Sequence, residues 1–246
     1  MNCFDNLLVA PDHVSRRPSD TYYVTDTTVL RTHTSAHQCQ FIAAGENAFL
    51  CTGDVYRRDE IDSSHYPVFH QMEGVRIFHE NANYPAGSTP EEIKKIIEND
   101  LKSILTGLAV HLFGDVQMRW REDFFPFTQP SFELDVFYEG DWMEVLGCGV
   151  IHEKVMANAG KPHLHGWAFG LGLERLAMVL FSIPDIRLFW TKDERFTKQF
   201  KAGQITKFQP YSKYPFCYKD VSFWLPKTGL HPNDVYEVRV SFCQCS

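Results

Sequence analysis

Apolar residues recur at helical spacing from Ile93 through Ile96, Ile97, Leu101, Ile104, Leu105, Leu108 and Leu112, which predicts an amphipathic helix of roughly 24 residues with one buried stripe. Both ends of that helix are spelled in the chain. Thr89-Pro90-Glu91-Glu92 is a capping box with proline at the first helical position, and Gly114 stops the run. Elsewhere the period falls to two. Positions 50–58 and 68–78 read as strands joined by the polar segment DEIDSSHYP, a hairpin with a long tip. Positions 132–138 and 142–148, with Glu139-Gly140-Asp141 between them, read as a second hairpin. In GWAFGLGLERLAMVL, positions 166–180, Gly166, Ala168, Gly170 and Gly172 alternate with Trp167, Phe169, Leu171 and Leu173. Alternation in a strand puts the bulky residues on one face and leaves the other nearly bare. Glycine weakens a strand and marks a place where something else comes close. Positions 174–181 return to helical spacing and Pro184 ends them. Antiparallel hairpins backed by one long helix predict an α+β fold with a largely antiparallel sheet.

The glycines of that strand spell neither familiar phosphate loop. Arg175 stands where G-x-G-x-x-G requires its third glycine, and no Gly-Lys-Ser/Thr run supplies a Walker loop. With 246 residues the chain can hold one sizeable core and a small appendage. A net charge of −7 argues against a surface that grips nucleic acid everywhere and leaves a local basic patch open. Seven cysteines without disulfide-style spacing suit a reducing compartment. Cys243 and Cys245 lack a second pair to complete a zinc site. His33 and His37 have helical metal spacing but no third ligand. His163 and His165 flank an expected loop and read as solvated. No apolar run approaches membrane-span length, so no membrane partner is expected. The first twenty residues resemble neither a signal nor a transit peptide and read as the interior of a domain. From about Lys207 the composition turns rich in proline and tyrosine, which predicts a linker and a new strand.

The first hairpin carries the candidate chemistry. Arg57 ends one strand with Asp59 beyond it, His65 sits on the polar tip, and Phe69 and Glu73 follow at intervals of four. A strand arginine can pair bidentately with a phosphate, and a phenylalanine can stack on a nucleobase. Taken alone, a surface hairpin with a cross-strand ion pair explains the same residues. The order Tyr56-Arg57-x-Asp59, His65-x₃-Phe69-x₃-Glu73 and Gly170-x-Gly172-x-Glu174-Arg175 on one chain resembles motifs 2 and 3 of the class II aminoacyl-tRNA synthetases. RTHTSAHQ (31–38), FHQMEG (69–74) and FPFTQPSFELDV (125–136) narrow the resemblance to phenylalanyl-tRNA synthetases of the single-chain mitochondrial type. FQPYSKYP resembles the start of that family's ferredoxin-like anticodon-binding module, and the likeness reaches about Asp234.

The resemblance implies an ATP site of Arg57, Asp59, Ser64, His65, Tyr66, Phe69, Glu144, Gly170, Gly172 and Arg175. Arg57 would hold the α-phosphate, Phe69 and Arg175 would sandwich adenine, and Glu144 would be the carboxylate near Mg²⁺. It implies a phenylalanine site in which His33, Ser35, Gln71 and Glu73 meet the ammonium group. Ala36, His37 and Gln38 are expected to line the same wall. Phe125 and Phe127, which period two places on one side, would contact the phenyl ring, with Ala168 limiting pocket size and Phe169 adjoining. Read without the resemblance, these two phenylalanines are ordinary core. The implied reaction is a two-step aminoacylation of tRNA(Phe) with ATP and Mg²⁺, Arg57 and Arg175 acting as the catalytic residues, by a monomer in the mitochondrial matrix.

Two departures accompany the likeness. The upstream motif 1 of class II synthetases is missing, and after about 207 only a partial anticodon module with a divergent tail, EVRVSFCQCS, is expected. Residues 1–206 are expected to form the catalytic domain and 207–246 the fragment. Exposed sheet edges where motif 1 should pack would be an aggregation hazard. Gln129 stands where relatives can carry glutamate. The chain therefore reads as truncated. A catalytically silent isoform that binds a ligand or partner, or a biotin-ligase-like adenylate former on the same sheet, are the alternatives.

Overall fold

A computed structural model describes residues 2–138, 140–212 and 229. The chain divides into two compact units, Met1–Gln209 and Pro210–Ser246. Most of the expected anticodon-module fragment, with Cys243 and Cys245, lies outside the described residues, as does Glu139 of the second predicted turn. Among the described residues the strands are β1 Tyr23–Thr25, β2 Thr28–Val29, β3 Ala48–Tyr56, β4 Val68–Phe78, β5 Met118–Asp123, β6 Thr128–Tyr138, β7 Asp141–Ile151 and β8 His165–Gly172. The helices are α1 Gln38–Ala44, α2 Pro90–Phe113, α3 Glu153–Asn158, α4 Leu173–Leu180 and α5 Glu194–Thr197, with short 3₁₀ turns between them.

β3 to β8 form one six-stranded sheet in the order β3-β4-β8-β7-β6-β5, and every pairing within it is antiparallel. The fold is α+β as predicted. β4 and β8 lie side by side although about 90 residues separate them, because α2 and the β5-β6-β7 meander intervene and the chain then returns to the middle of the sheet. α2 shows why its sequence makes a helix. Thr89 Oγ1 accepts from the Glu92 amide, the Glu92 carboxylate accepts from the Thr89 amide at 2.8 Å, and Gly114 leaves the helix at φ 77°. Its buried stripe of Ile93, Ile97, Leu101, Leu105 and Ala109 packs with Trp167, Phe169 and Leu171 of β8 and Leu134 and Val136 of β6. Arg76 and the Trp167 indole both donate to Asp100, which ties the helix to the sheet through polar atoms as well.

The opposite sheet face carries a second core. Phe4, Leu7, Ala36 and Ile42 from the N-terminal turns and α1, with Val155 and Met156 of α3, cover Val75, Ile77 and Ala168. That cover reaches only part of the face. Where it stops, Gly170 and Gly172 of β8 face open space, and the site begins there. Among the described residues no helix is long and apolar enough to cross a membrane.

Candidate active site

Strand register assembles the site. Glu73 of β4 and Gly147 of β7 flank Gly170 of β8, and Gln71 of β4 faces Gly172. Side chains two apart share a face, so Phe69, Gln71 and Glu73 stand along one edge of a floor that has almost no side chains. The two kinds of glycine here differ. A Cβ on Gly74 would lie 2.2 Å from the Phe169 ring, so that glycine admits a core side chain. A Cβ on Gly170 or Gly172 would meet nothing within 4 Å, so those two face open space.

Two cavities open on this floor. One, of about 350 Å³, is lined by Arg57, Asp59, Ser64, His65, Tyr66, Phe69, Glu144, Gly170, Gly172 and Arg175, and also by Gln71, Glu174 and Ile186. Arg57 leaves the end of β3, donates from Nε to the Thr32 carbonyl at 3.1 Å, and lies 5.1 Å from the centroid of Phe69. Burial lowers its pKa, with Asp59 opposing, and a guanidinium stays charged under such a shift. Arg175, in the first turn of α4, is exposed and sits 3.5 Å from Glu144. The loop between β3 and β4 is folded by Asp62, whose Oδ1 accepts from the amides of Ser64 and His65 at 2.7 Å. Its hydrogen bonds to His65 and Ser64 hold the Asp62 carboxyl well below the usual range.

The second cavity, of about 320 Å³, is lined by His33, Ser35, Gln71, Glu73, Phe125, Phe127, Ala168 and Phe169, together with Thr34, Thr128, Glu133, Gly147 and Cys148. Phe125 and Phe127 stack at 5.9 Å and 13°, and the Phe125 ring lies over Gly147, where a Cβ would be 2.8 Å away. Burial pushes the Glu73 carboxyl up to about 8, a hydrogen bond with Ser35 opposing it. Burial pulls His33 down to about 4, with Arg57 adding to the effect, while its Nε2 contacts the Cys3 carbonyl at 3.0 Å. Glu73 Oε2, Gln71 Oε1, His33 Nδ1 and both amide atoms of Gln38 are buried without hydrogen-bond partners. A set of buried, unpartnered polar atoms is costly unless something supplies the missing bonds.

Arg57, Gln71, Glu144 and Gly170 line both cavities. The two spaces therefore meet at one half-buried guanidinium.

Several expectations need correction. Ala36, His37 and Gln38 do not line the second cavity. Ala36 is core; the His37 ring bonds Arg31 at 2.9 Å; Gln38 is buried at the start of α1. Phe125 and Phe127 share a side through a turn before β6 and not through strand alternation. His165 opens β8, is half-buried, and meets Tyr84 edge-on, so it is not a solvated loop residue. Among the described residues no group of three or more His, Cys, Asp or Glu could hold a metal ion. Sequence reasoning assigned no role to Glu174, which lines the first cavity and accepts from the His70 amide at 2.7 Å. A carboxylate beside Arg175 in the strand-to-helix junction was the available signal.

Comparison with known proteins agrees with this geometry. The tRNA synthetases class II core domain (F) family matches residues 1–200. The chain is 59% identical over 224 residues to the chloroplastic/mitochondrial phenylalanine–tRNA ligase of Arabidopsis thaliana, covering 90% of this chain and 51% of that protein. It is 50% identical over 259 residues to the mitochondrial phenylalanine–tRNA ligase of Mus musculus, covering 96% and 57%. It is 41% identical over 201 residues to the phenylalanine–tRNA ligase alpha subunit of Thermosynechococcus vestitus, covering 80% and 55%. The chain spans about half the length of these curated relatives. With the motif order, the antiparallel sheet and the matched residues in agreement, the chain belongs to the class II tRNA synthetase core-domain family.

Proposed function

We propose that this chain carries the catalytic site of a phenylalanine–tRNA ligase acting in mitochondrial translation. The observation that carries the reading is the meeting of the two cavities at Arg57. ATP takes the larger space, with the adenine between Phe69 and Arg175 and the triphosphate toward His65 and Ser64. Phenylalanine takes the second, its ring against Phe125, Phe127 and Ala168. Its ammonium group supplies the donors that Glu73 Oε2 and Gln71 Oε1 lack. The amino acid carboxylate and the α-phosphate then converge on one guanidinium.

In-line attack of that carboxylate on the α-phosphorus forms the C–O–P linkage of phenylalanyl-adenylate and breaks the bond to the β-phosphate, which leaves as pyrophosphate. A 2′-hydroxyl of the terminal tRNA ribose then attacks the acyl carbon and releases AMP. Arg57 and Arg175 stabilise charge without bonding covalently, which suits phosphoryl chemistry, where positioning and electrostatics dominate. The attacking carboxylate is already ionised, so the first step needs no base.

Magnesium fits the donor set. The half-exposed Glu144 offers one carboxylate in the ATP cavity, and Mg²⁺ is ordinarily held by phosphates with one or two carboxylates. Bound with ATP, it would neutralise phosphate charge. Residues of one chain line both cavities, which supports a monomer, and the mitochondrial and chloroplastic/mitochondrial names of the Mus musculus and Arabidopsis thaliana relatives support a mitochondrial protein, for which the matrix is the compartment proposed. Every arginine and carboxylate assigned a role lines a cavity, so nothing in the geometry favours a silent isoform.

The test is phenylalanine-dependent exchange of pyrophosphate into ATP. Arg57→Ala is expected to lower it at least a thousandfold with the fold intact. A folded wild-type protein that binds neither substrate and shows no exchange overturns the proposal.

A further inference from the structure

Trp190 ends the 3₁₀ helix Ile186–Trp190, is 41% exposed and belongs to neither core cluster. Its neighbours are rings. The indole stacks with Tyr66 at 5.3 Å and 18°, and with His70 at 6.2 Å and 11°. His70 is itself anchored. Its amide donates to Glu174 Oε2 at 2.7 Å and its Nδ1 lies 2.6 Å from Glu174 Oε1. At the other end of the same 3₁₀ helix, the Ile186 amide donates to the Ser63 carbonyl at 2.8 Å.

These contacts converge on the loop between β3 and β4. Ser64, His65 and Tyr66 of that loop line the larger cavity, and Trp190 does not. The loop buries little of itself: residues 59–65 are exposed, and Asp62 accepts hydrogen bonds from amides within the tip. An exposed loop without burial fluctuates unless something outside it adds contacts.

We infer that Trp190 is a positioning residue for the larger cavity. Stacked on Tyr66, and with Ile186 holding Ser63, it clamps the loop across the nucleotide and is itself braced on β4 and α4 through His70 and Glu174. The inference rests on reading that cavity as the nucleoside triphosphate site. A ring outside the site then sets ATP affinity by fixing the loop before the ligand arrives, which lowers the ordering cost of binding.

Two measurements on Trp190→Ala and Trp190→Phe test this. Hydrogen exchange in the nucleotide-free protein reads the clamp without any reaction. The amides of Ser64, His65 and Ile186 should exchange at least tenfold faster in the alanine variant and near the wild-type rate in the phenylalanine variant, with α2 unchanged. ATP binding should weaken about tenfold in Trp190→Ala and recover in Trp190→Phe, while phenylalanine binding stays within twofold. Unchanged loop exchange overturns the clamp, and faster loop exchange with unaltered ATP affinity overturns its link to nucleotide binding. A wild-type protein that binds no ATP overturns the cavity assignment and the nucleotide role together, while loop exchange still decides the clamp. If Trp190→Ala does not fold, Trp190→Leu keeps apolar bulk without a planar face and gives the same readings.

Discussion

Glu73 shows what burial does to a single residue here. Its carboxyl is raised to about 8 from an ordinary 4.5, so in the ligand-free protein it holds its proton where the unfolded chain has released it. The folded state binds the extra proton, so stability falls as pH rises from 4.5 through 8. His33 has the opposite sign. Depressed to about 4 from 6.5, it leaves more protons on the unfolded chain in that interval, and stability there rises with pH. The two oppose each other from pH 4.5 to 6.5, and above that interval Glu73 is the one of the pair that still acts. Between pH 6.5 and 8 the melting temperature of the free protein should therefore decline, and Glu73→Gln should flatten that slope. An ammonium ion beside Glu73 favours its charged form. Phenylalanine binding at pH 7 should then release a proton, seen in calorimetry as a heat that changes with the ionisation enthalpy of the buffer. No buffer dependence would argue against an ammonium at Glu73.

At the scale of elements, β4 and β8 meet in two ways that sequence alone reads identically. Gly74 and Gly170 are both strand glycines, but one accommodates the Phe169 ring and the other faces open space. Gly74→Ala should destabilise the fold by about 1–3 kcal/mol, because the added carbon forces a buried ring to move. Gly170→Val should leave the melting temperature at or above the wild-type value, since a β-branched residue suits a strand, and should reduce ATP and phenylalanine binding at least tenfold. Thermal melts with binding titrations separate the two. Loss of stability in Gly170→Val would show that the bare face is packed after all. The bare face was legible from alternation, as were both ends of α2. Which glycine served packing was not, because the ring that decides it comes from the neighbouring strand.

For the molecule as a whole, the sheet is held from both sides: α2 on one face, the N-terminal turns with α1 and α3 on part of the other. On the proposed reading the uncovered remainder is a preformed site, so ligands should stabilise the fold without remodelling it. Phenylalanine at a hundred times its Kd should add about 2.7 kcal/mol, and raise the melting temperature by roughly 5–10 °C for a unit of this size. A cooperative melt that neither phenylalanine nor ATP moves would count against both cavities as binding sites.

Local spacing alone marked five of the six strands of the main sheet, the long helix with its caps and the open face of β8, because periodicity and capping depend on residues within a few positions; it did not mark β5. The resemblance in motif order brought the residues proposed to hold phenylalanine together on paper; Ala36, His37 and Gln38, which it also named, are not among those lining the second cavity. Only the tertiary structure joined the cavities at Arg57, raised Glu73, and set Trp190 against the loop. Each of these depends on distance and desolvation between segments up to about 130 residues apart, and no pattern along the chain encodes how much water remains around a side chain once the sheet has closed over it.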